Sequence, residues 1–401
     1  MSNFPLNKLS IHKGTVLLTN ARILDPQSGY DQKGDLLIEN GKIADFGNLG
    51  KVNAEQVIDC KGNLLTPGLI DIQVHAREPG GEKKETLATA SRSAVAGGVT
   101  SIATMPNTKP VADNVASIEY MLRRAAETAI CNVYPFASAT RGMEGKELTD
   151  ICSLAVSGAV GITDDGLPVM DSSVMRYALT YAAEAGIVFS QHAEDLTLTR
   201  GSAMNEGAVS SKLGLKGWPN AAEAIIIERD LRLLELVQKD YPKARYHVLH
   251  LSTLEGLEAV KAGKAKGLNV TCEASPHHFT LTDEAVGEYR TFAKMNPPLR
   301  AEKDRKAIYD AVCSGVIDAI ATDHAPHDEE SKRLPFAEAA FGIVGLETML
   351  PLSLALYHNK DIGLSQLIGA MTYKAADIIK IDRGRIKKGA VADLTLIDLD
   401  V

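Results

Sequence analysis

Apolar runs of four to seven residues alternate with amphipathic segments through the middle of the chain. Eight of these runs are predicted strands, over residues 69–74, 99–105, 131–137, 160–163, 187–191, 245–249, 268–274 and 318–321. Asp171 is placed to cap a helix that Gly186 ends, and Asn220 with Glu223 resembles a capping box before residues 225–237. Continuously apolar strands, each followed by a helix, predict an α/β fold, a closed parallel (β/α)8 barrel of the TIM type. A doubly wound open sheet is the structural alternative.

The two ends of the chain carry a different, strand-rich pattern. Residues 15–18, 35–38 and 42–45 are predicted to be short strands. Asn40-Gly41 between the last two predicts a hairpin, because both central positions of that turn favour positive φ. A matching segment, residues 392–397, closes the chain. We expect residues 1–65 and 379–401 to form one small β domain, into which the barrel of residues 66–378 is inserted.

Composition and charge limit the classes of binding partner that are expected. The 401 residues include 43 Lys+Arg and 51 Asp+Glu, a net charge of −8 without long basic clusters, which argues against nucleic-acid and membrane-surface partners. Five scattered cysteines without a C-x-x-C pair indicate neither a disulfide framework nor a structural zinc site. We see no secretion signal and no run of about 20 apolar residues. The expected location is a reducing cytoplasm.

Polar side chains recur at the carboxyl ends of the predicted strands. In chain order they are His75 and Arg77, Asn107, Asp164-Asp165-Gly166, His192, His250, and Asp323-His324. Any one of them could be an ordinary turn or core residue. The carboxyl ends of barrel strands form the face on which active sites are built, so six placements on that face predict a shared site.

The residue types indicate a metal centre. Histidines and carboxylates without thiolates favour a divalent metal, most simply Zn²⁺ with an open coordination position. Such a metal lowers the pKa of bound water and polarises a carbonyl, which suits hydrolysis or formation of an amide. Arg77, two residues beyond His75, offers a bidentate partner for a carboxylate. We therefore expect a small anionic substrate.

Longer motifs stand at these positions. They are Thr66-Pro67-Gly68-Leu69-Ile70-Asp71, Val74-His75-Ala76-Arg77-Glu78-Pro79-Gly80, Met105-Pro106-Asn107-Thr108, Thr163-Asp164-Asp165-Gly166, Gln191-His192-Ala193-Glu194-Asp195, Pro276-His277-His278, Met295-Asn296-Pro297-Pro298-Leu299-Arg300 and Ala321-Thr322-Asp323-His324-Ala325-Pro326-His327. From about residue 15 onward the chain resembles the amidohydrolase superfamily. Specifically, it resembles bacterial dihydroorotases of the class with aspartate, rather than carbamylated lysine, at the end of barrel strand four.

The resemblance implies reversible cyclisation of N-carbamoyl-L-aspartate to L-dihydroorotate, a step of de novo pyrimidine (UMP) biosynthesis. It implies that the metal ligands are His75, Asp165, His192, His250 and Asp323. Asp323 would also be the catalytic acid and base. The implied substrate-binding residues are Arg77, Asn107 and His327, with Asn296 beside the pyrimidine ring. The remaining histidines are expected to support the site (His247, His277, His278, His324) or to lie outside it (His12, His358).

One position departs from the family pattern. Where that pattern is Asp-x-His-x-His, this chain has Asp71-Ile72-Gln73-Val74-His75. An amide oxygen is a poor zinc ligand compared with an imidazole nitrogen. The loss falls on the more buried of two metal positions, whereas the position formed by Asp165, His192 and His250 keeps its set. We therefore expect one zinc per chain rather than two.

Two other functions remain open. The chain could be a catalytically impaired homologue that acts as an assembly partner of aspartate transcarbamoylase, or it could associate with copies of itself. It could also be another cyclic amidase of the hydantoinase or allantoinase type. Those relatives bridge two metals with a carbamylated lysine after strand four, where this chain has Asp164-Asp165. Residues 279–294 are a candidate cover for the substrate.

Overall fold

The computed structural model describes residues 13–400. Strands are numbered in chain order: β1 Thr15–Asp25, β2 Tyr30–Glu39, β3 Lys42–Gly47, β4 Gln56–Asp59, β5 Leu64–Pro67, β6 Leu69–Val74, β7 Val99–Thr104, β8 Asn132–Pro135, β9 Gly161–Ile162, β10 Val188–Gln191, β11 Met204–Asn205, β12 Gly217–Trp218, β13 Tyr246–Val248, β14 Val270–Ala274, β15 Ala319–Ile320 and β16 Leu394–Ile397.

The α-helices lie mostly between the barrel strands. They are α1 Leu87–Ala96, α2 Val115–Thr128, α3 Ile151–Val156, α4 Ser172–Ala185, α5 Leu196–Thr199, α6 Ala208–Leu213, α7 Ala221–Val237, α8 Leu254–Ala265, α9 Pro276–Thr280, α10 Glu302–Ser314, α11 Glu329–Lys332, α12 Met349–His358, α13 Leu364–Ala370 and α14 Tyr373–Ile379. Within residues 13–400, none of these helices has both the length and the apolar character needed to span a bilayer.

The two ends of the described chain meet in one sheet. Its strand order is β16-β5-β1-β2-β3, with β4 on β1. β16 runs antiparallel to β5, so that Leu394 lies opposite Pro67. The turn between β2 and β3 has Asn40 and Gly41 at φ +50° and +75°, as the hairpin prediction requires. The predicted boundary between residues 65 and 66 falls within β5, and the division into domains remains a prediction.

Eight parallel strands close into a barrel. β6, β7 and β8 form one arc, and β9, β10, β13, β14 and β15 form the other. Single bridges join the arcs, Ala137 with Ile162 on one side and Val74 with His324 on the other. This closure confirms the predicted barrel and excludes the open sheet. The ladders are shorter than the apolar runs, because only the residues facing a neighbouring strand pair.

Helix α14 packs against the amino-terminal ends of the barrel strands. Its Ala375, Ala376 and Ile379 belong to a buried apolar cluster with Ile70 of β6 and Val188 of β10. That layer closes the lower end of the barrel interior. The polar groups that follow the strands therefore gather at the opposite, carboxyl end.

Both predicted helices begin directly after the residue predicted to cap them, but only one of the two predicted side-chain caps forms. Asp171 accepts hydrogen bonds from the first turn of α4, and Gly186 ends that helix in the left-handed conformation at φ +75°. At α7, Asn220 makes no side-chain cap. Glu223 is buried and instead accepts hydrogen bonds from the backbone and hydroxyl groups of Ser252 and Thr253. The Glu223 carboxylate, which the local motif predicts to cap the start of α7, thus makes tertiary hydrogen bonds instead.

Candidate metal centre and active site

Three residues at the strand ends have backbone conformations that non-glycine residues rarely adopt. The φ angles of Arg77, His250 and Asp323 are +60°, +30° and +49°. Such conformations cost about 1–3 kcal/mol each and persist where the surrounding structure imposes them. Beside Asp323, the buried Asp71 carboxylate accepts hydrogen bonds from Thr322 N at 3.1 Å and Thr322 Oγ1 at 2.5 Å. These bonds join β6 to the end of β15 and hold Asp323 in place.

The first group of candidate ligands is His75, Asp165 and Asp323, all of them buried. His75 Nε2 lies 3.0 Å from Asp323 Oδ1 and 3.2 Å from Asp165 Oδ2. The other ring nitrogen, Nδ1, lies 2.9 Å from the side-chain oxygen of Asn107. Since an amide oxygen only accepts hydrogen bonds, it assigns the ring proton to Nδ1. The lone pair of Nε2 then faces two carboxylate oxygens.

The second group is Asp165, His192 and His250, also buried. Glu194 Oε2 lies 2.9 Å from His192 Nε2 and accepts a hydrogen bond from it, which leaves the lone pair on Nδ1 for a metal. His192 Nδ1 lies 2.9 Å from His250 Nε2, and each lies 3.5 Å from Asp165 Oδ1. Asp165 is therefore shared, with Oδ1 in this group and Oδ2 in the first.

Both groups have the chemistry and the spacing of a zinc site. Zinc bonds of about 2.0–2.1 Å in tetrahedral geometry separate neighbouring ligand atoms by roughly 3.3 Å. The observed separations of 2.9–3.5 Å surround that value. In each group the candidate ligand atoms all lie within 4.8 Å of one another, close enough to bind one ion. The donor sets thus fit a divalent metal in either position.

The neighbouring carboxylates raise the pKa of two histidines in these groups. Burial and the Arg77 guanidinium lower the pKa of His75, but hydrogen bonds to Asp165 and Asp323 outweigh them and raise it to about 9. Burial likewise opposes protonation of His192, but hydrogen bonds to Asp165 and Glu194 raise its pKa to about 10. A metal that binds here must displace these protons.

Gln73 stands beside the first group and presents its amide nitrogen to it. Gln73 Nε2 donates to Asp165 Oδ2 at 3.3 Å. Its Oε1 is buried and has no hydrogen-bond partner among the described residues. The Gln73 amide therefore uses a lone pair of Asp165 Oδ2 as a hydrogen-bond acceptor and contributes no ligand atom of its own. The first group has three donors, His75, Asp165 and Asp323.

A small cavity of about 90 Å³ opens over both groups. Arg77 and His327 form one wall, with Arg77 Nη2 3.5 Å from His327 Nε2 and Arg77 Nε donating to Pro326 O at 3.3 Å. Burial and the Arg77 charge lower the pKa of His327 to about 4, so this imidazole is neutral near pH 7. One fixed cation next to a metal-ligand cluster suits a small anionic substrate.

Comparison with known proteins decides the family. Residues 62–256 match the family model described as dihydro-orotase-like, and residues 229–401 match the amidohydrolase family. The dihydroorotase of Wolbachia sp. subsp. Drosophila simulans (strain wRi) is 52% identical over 387 residues, covering 96% of this chain and 86% of the relative. The dihydroorotase of Ehrlichia chaffeensis is 50% identical over 391 residues, with the same two shares. The chain belongs to the dihydroorotase family.

Solved structures support the fold of this family member. The L-hydantoinase (dihydropyrimidinase) of Arthrobacter aurescens superposes with a TM-score of 0.84 at 24% identity, covering 94% of this chain and 86% of its own. A D-hydantoinase (dihydropyrimidinase) from Thermus sp. gives 0.80 at 24% identity, covering 95% and 86%. At this level of identity the likeness concerns the barrel and its appended sheet.

The structure of this dihydroorotase-family chain brings the five predicted ligands together. All four predicted substrate-binding residues line the cavity. Asn107 contacts His75, Asn296 Nδ2 donates to Glu194 at 3.3 Å, and Arg77 and His327 contact each other. The histidines expected to support the site contact its surroundings: His247 lies 3.0 Å from Glu273, His278 3.0 Å from Pro297 O, His324 3.2 Å from Glu85, and His277 packs on His278. His358 is exposed on α12, and His12 lies outside the described residues.

Some residues of the site were not assigned a role from the sequence, among them Glu194, Phe341 and Gly342. Glu194 fixes the tautomer of His192, and its position two residues later is a signal that could have revealed it. Phe341 and Gly342 line the cavity but come from a long irregular segment with no local signal. Residues 279–294, the candidate cover, do not line this cavity in the described part of the chain.

Proposed function

We propose that this chain is a zinc-dependent dihydroorotase of the class with aspartate at the end of strand four. It would interconvert N-carbamoyl-L-aspartate and L-dihydroorotate. The observation that carries the proposal is the meeting of Asp165 with His75, His192, His250 and Asp323 beside the Arg77 guanidinium. Relatives about 50% identical over 96% of the chain are named dihydroorotase, which supports the same chemistry.

The residues that would hold zinc are Asp165, His192 and His250, with one ion per chain. The group that contains His75 and Asp323 offers one imidazole where the other offers two, and Gln73 donates an N–H to Asp165 there without supplying a ligand atom. Zinc bound beside the substrate would polarise the amide carbonyl and acidify water. His75 and Asp323 would then lie on the side of Asp165 that faces the substrate.

Asp323 is the proposed acid and base. In ring opening its carboxylate takes a proton from the water that attacks the carbonyl carbon, and returns it to the ring nitrogen as the C–N bond breaks. Ring closure follows the same proton path in reverse. His75 lies 3.0 Å away and fixes the orientation of this carboxylate. Arg77 and the neutral His327 would hold the substrate carboxylate, and Asn296 would lie beside the ring.

Turnover with purified protein tests the proposal. Formation of dihydroorotate is followed with and without added zinc, in parallel with hydrolysis of hydantoin and allantoin. We expect dihydroorotate to be the preferred substrate. A well-folded, zinc-supplied sample without turnover would favour the non-catalytic partner of aspartate transcarbamoylase, and faster hydrolysis of hydantoin or allantoin would favour another cyclic amidase.

Variants assign the roles. Asp323→Asn is expected to lower kcat by at least about 100-fold, because the proton path is lost. Arg77→Met is expected to act mainly on KM, because it removes the charge partner of the substrate. The exposed residues Asp240 and Arg92 provide matched controls, Asp240→Asn and Arg92→Met. Unchanged activity in either site variant removes that residue from the proposed machinery.

A further inference from the structure

A second cavity, of about 640 Å³, lies at the end of the barrel opposite the candidate metal centre. It is formed where the amino-terminal ends of β10, β13 and β14 meet helix α14. Apolar side chains form much of its wall, among them Val188, Leu268, Val270 and Ile378. Its volume lies in the range of small-molecule binding sites.

Four basic side chains line this cavity: Lys243, Arg245, Lys374 and Lys380. Within residues 13–400 none of the four takes part in an ion pair. Two carboxylates also line the cavity, but both are already paired with cations. Asp318 lies 2.6 Å from Lys264, and Asp377 lies 2.5 Å from Arg385. In a chain of net charge −8, the cavity thus carries unbalanced positive charge.

Arg245 is at the centre of this charge. Its Nη1 donates to Ile378 O at 2.7 Å and its Nη2 to Gly186 O at 3.4 Å, while Nε is buried and has no acceptor among the described residues. Lys380 Nζ donates to the same Gly186 O at 2.8 Å. Burial, together with the charges of Arg245 and Lys243, lowers the pKa of Lys380. The three cations therefore repel one another, and an anion placed between them would relieve that repulsion.

We infer that this cavity binds a small phosphorylated molecule with an apolar or aromatic body. The phosphate would be held by Lys243, Arg245 and Lys380, since a dianion matches several converging N–H donors better than a single carboxylate does. The body would lie against Val188 and Leu268. This inference is independent of the proposed function, because the cavity shares no lining residue with the candidate active site.

Calorimetry on the full-length, zinc-supplied protein tests the site with three probes. Uridine 5′-monophosphate carries both phosphate and body, whereas inorganic phosphate and uridine each carry one part. The variant is Lys243→Gln combined with Lys380→Gln, because both lysines are exposed and Arg245 is left to hold the end of α14. Lys303→Gln, another exposed lysine, is the matched control, and Arg77→Met reports binding in the catalytic cavity.

We expect one molecule of the monophosphate per chain, bound more tightly than either fragment and more weakly as salt rises. The double variant should weaken that binding by at least about tenfold, with Lys303→Gln and Arg77→Met unchanged. Circular dichroism checks folding, and the single variants Lys243→Gln and Lys380→Gln should each weaken binding by less than the double variant does. Absence of binding at millimolar monophosphate, equal binding by the double variant, or loss in Arg77→Met would each overturn the inference.

Discussion

Replacing Gln73 by histidine should create a second metal position. The three donors of the first group, His75 Nε2, Asp165 Oδ2 and Asp323 Oδ1, already lie 3.0–3.2 Å apart across His75. Gln73 is fully buried next to them and donates to Asp165. An imidazole of similar size would replace that N–H with a nitrogen lone pair and remove the unpartnered Gln73 Oε1.

The expected gain follows from the role of the new ligand. Loss of a hydrogen bond to a metal ligand alone costs about 10–100-fold in affinity, so a direct ligand should tighten zinc at this position by on the order of 100-fold or more. At a zinc concentration equal to the original dissociation constant, occupancy stabilises the present chain by about 0.4 kcal/mol. The same concentration would stabilise Gln73→His by about 2.7 kcal/mol.

Metal analysis and thermal unfolding measure both effects. We expect zinc content to rise from one to two ions per chain in Gln73→His, with a larger rise of Tm on zinc addition. Gln73→Leu is the matched control, since it removes the same hydrogen bond to Asp165 without supplying a ligand. Two ions in the unchanged protein, or one ion in Gln73→His at saturating zinc, would refute the reasoning.

Three further predictions concern protons and the cavity. Without metal, His75 and His192 have pKa values of about 9 and 10. Zinc binding near pH 7.5 should therefore release about one to two protons, and zinc affinity should increase with pH. Calorimetry in buffers of different ionisation enthalpy measures the release, and a value of zero would contradict the prediction. Burial lowers the pKa of Lys332 from 10.5 to about 8, so between pH 8 and 10.5 the folded chain binds fewer protons than the unfolded chain. The free energy of unfolding should therefore rise with pH over this range. Denaturant titrations of Lys332→Met should show no such rise from this position. Gly342 has φ +146° and a Cβ there would lie 2.3 Å from Ala325 O, so Gly342→Ala should shift the cavity wall and raise KM severalfold, whereas an unchanged KM would exclude this wall from substrate binding.

The barrel was predictable because its strands are buried along their whole length. All six residues of β6 are buried, and four of them are aliphatic, which gives the largely apolar pattern typical of a parallel barrel strand. The strand ends were less predictable, since β9 and β15 each pair over two residues of longer apolar runs. The failed cap at α7 has the same kind of cause: Glu223 is used by Ser252 and Thr253, which are distant in sequence.

The candidate site was predictable as far as chain topology determines it. Residues that end parallel strands must share one face, and this principle placed His75, Asp165 and Asp323 together. The orientation of the side chains could be determined only from the structure. The sequence shows glutamine at position 73, but only the structure shows that its N–H faces Asp165. Phe341 and Gly342 reach the cavity through a long segment whose path depends on tertiary contacts.

The central claim is that Asp165 is a shared ligand, with zinc held between it and two imidazoles. A crystal of zinc-loaded protein, measured on both sides of the zinc absorption edge, tests this directly. We predict one anomalous peak within about 2.0–2.2 Å of Asp165 Oδ1, His192 Nδ1 and His250 Nε2. A zinc-saturated crystal without that peak, or with zinc bound at a site that excludes Asp165, would contradict the account.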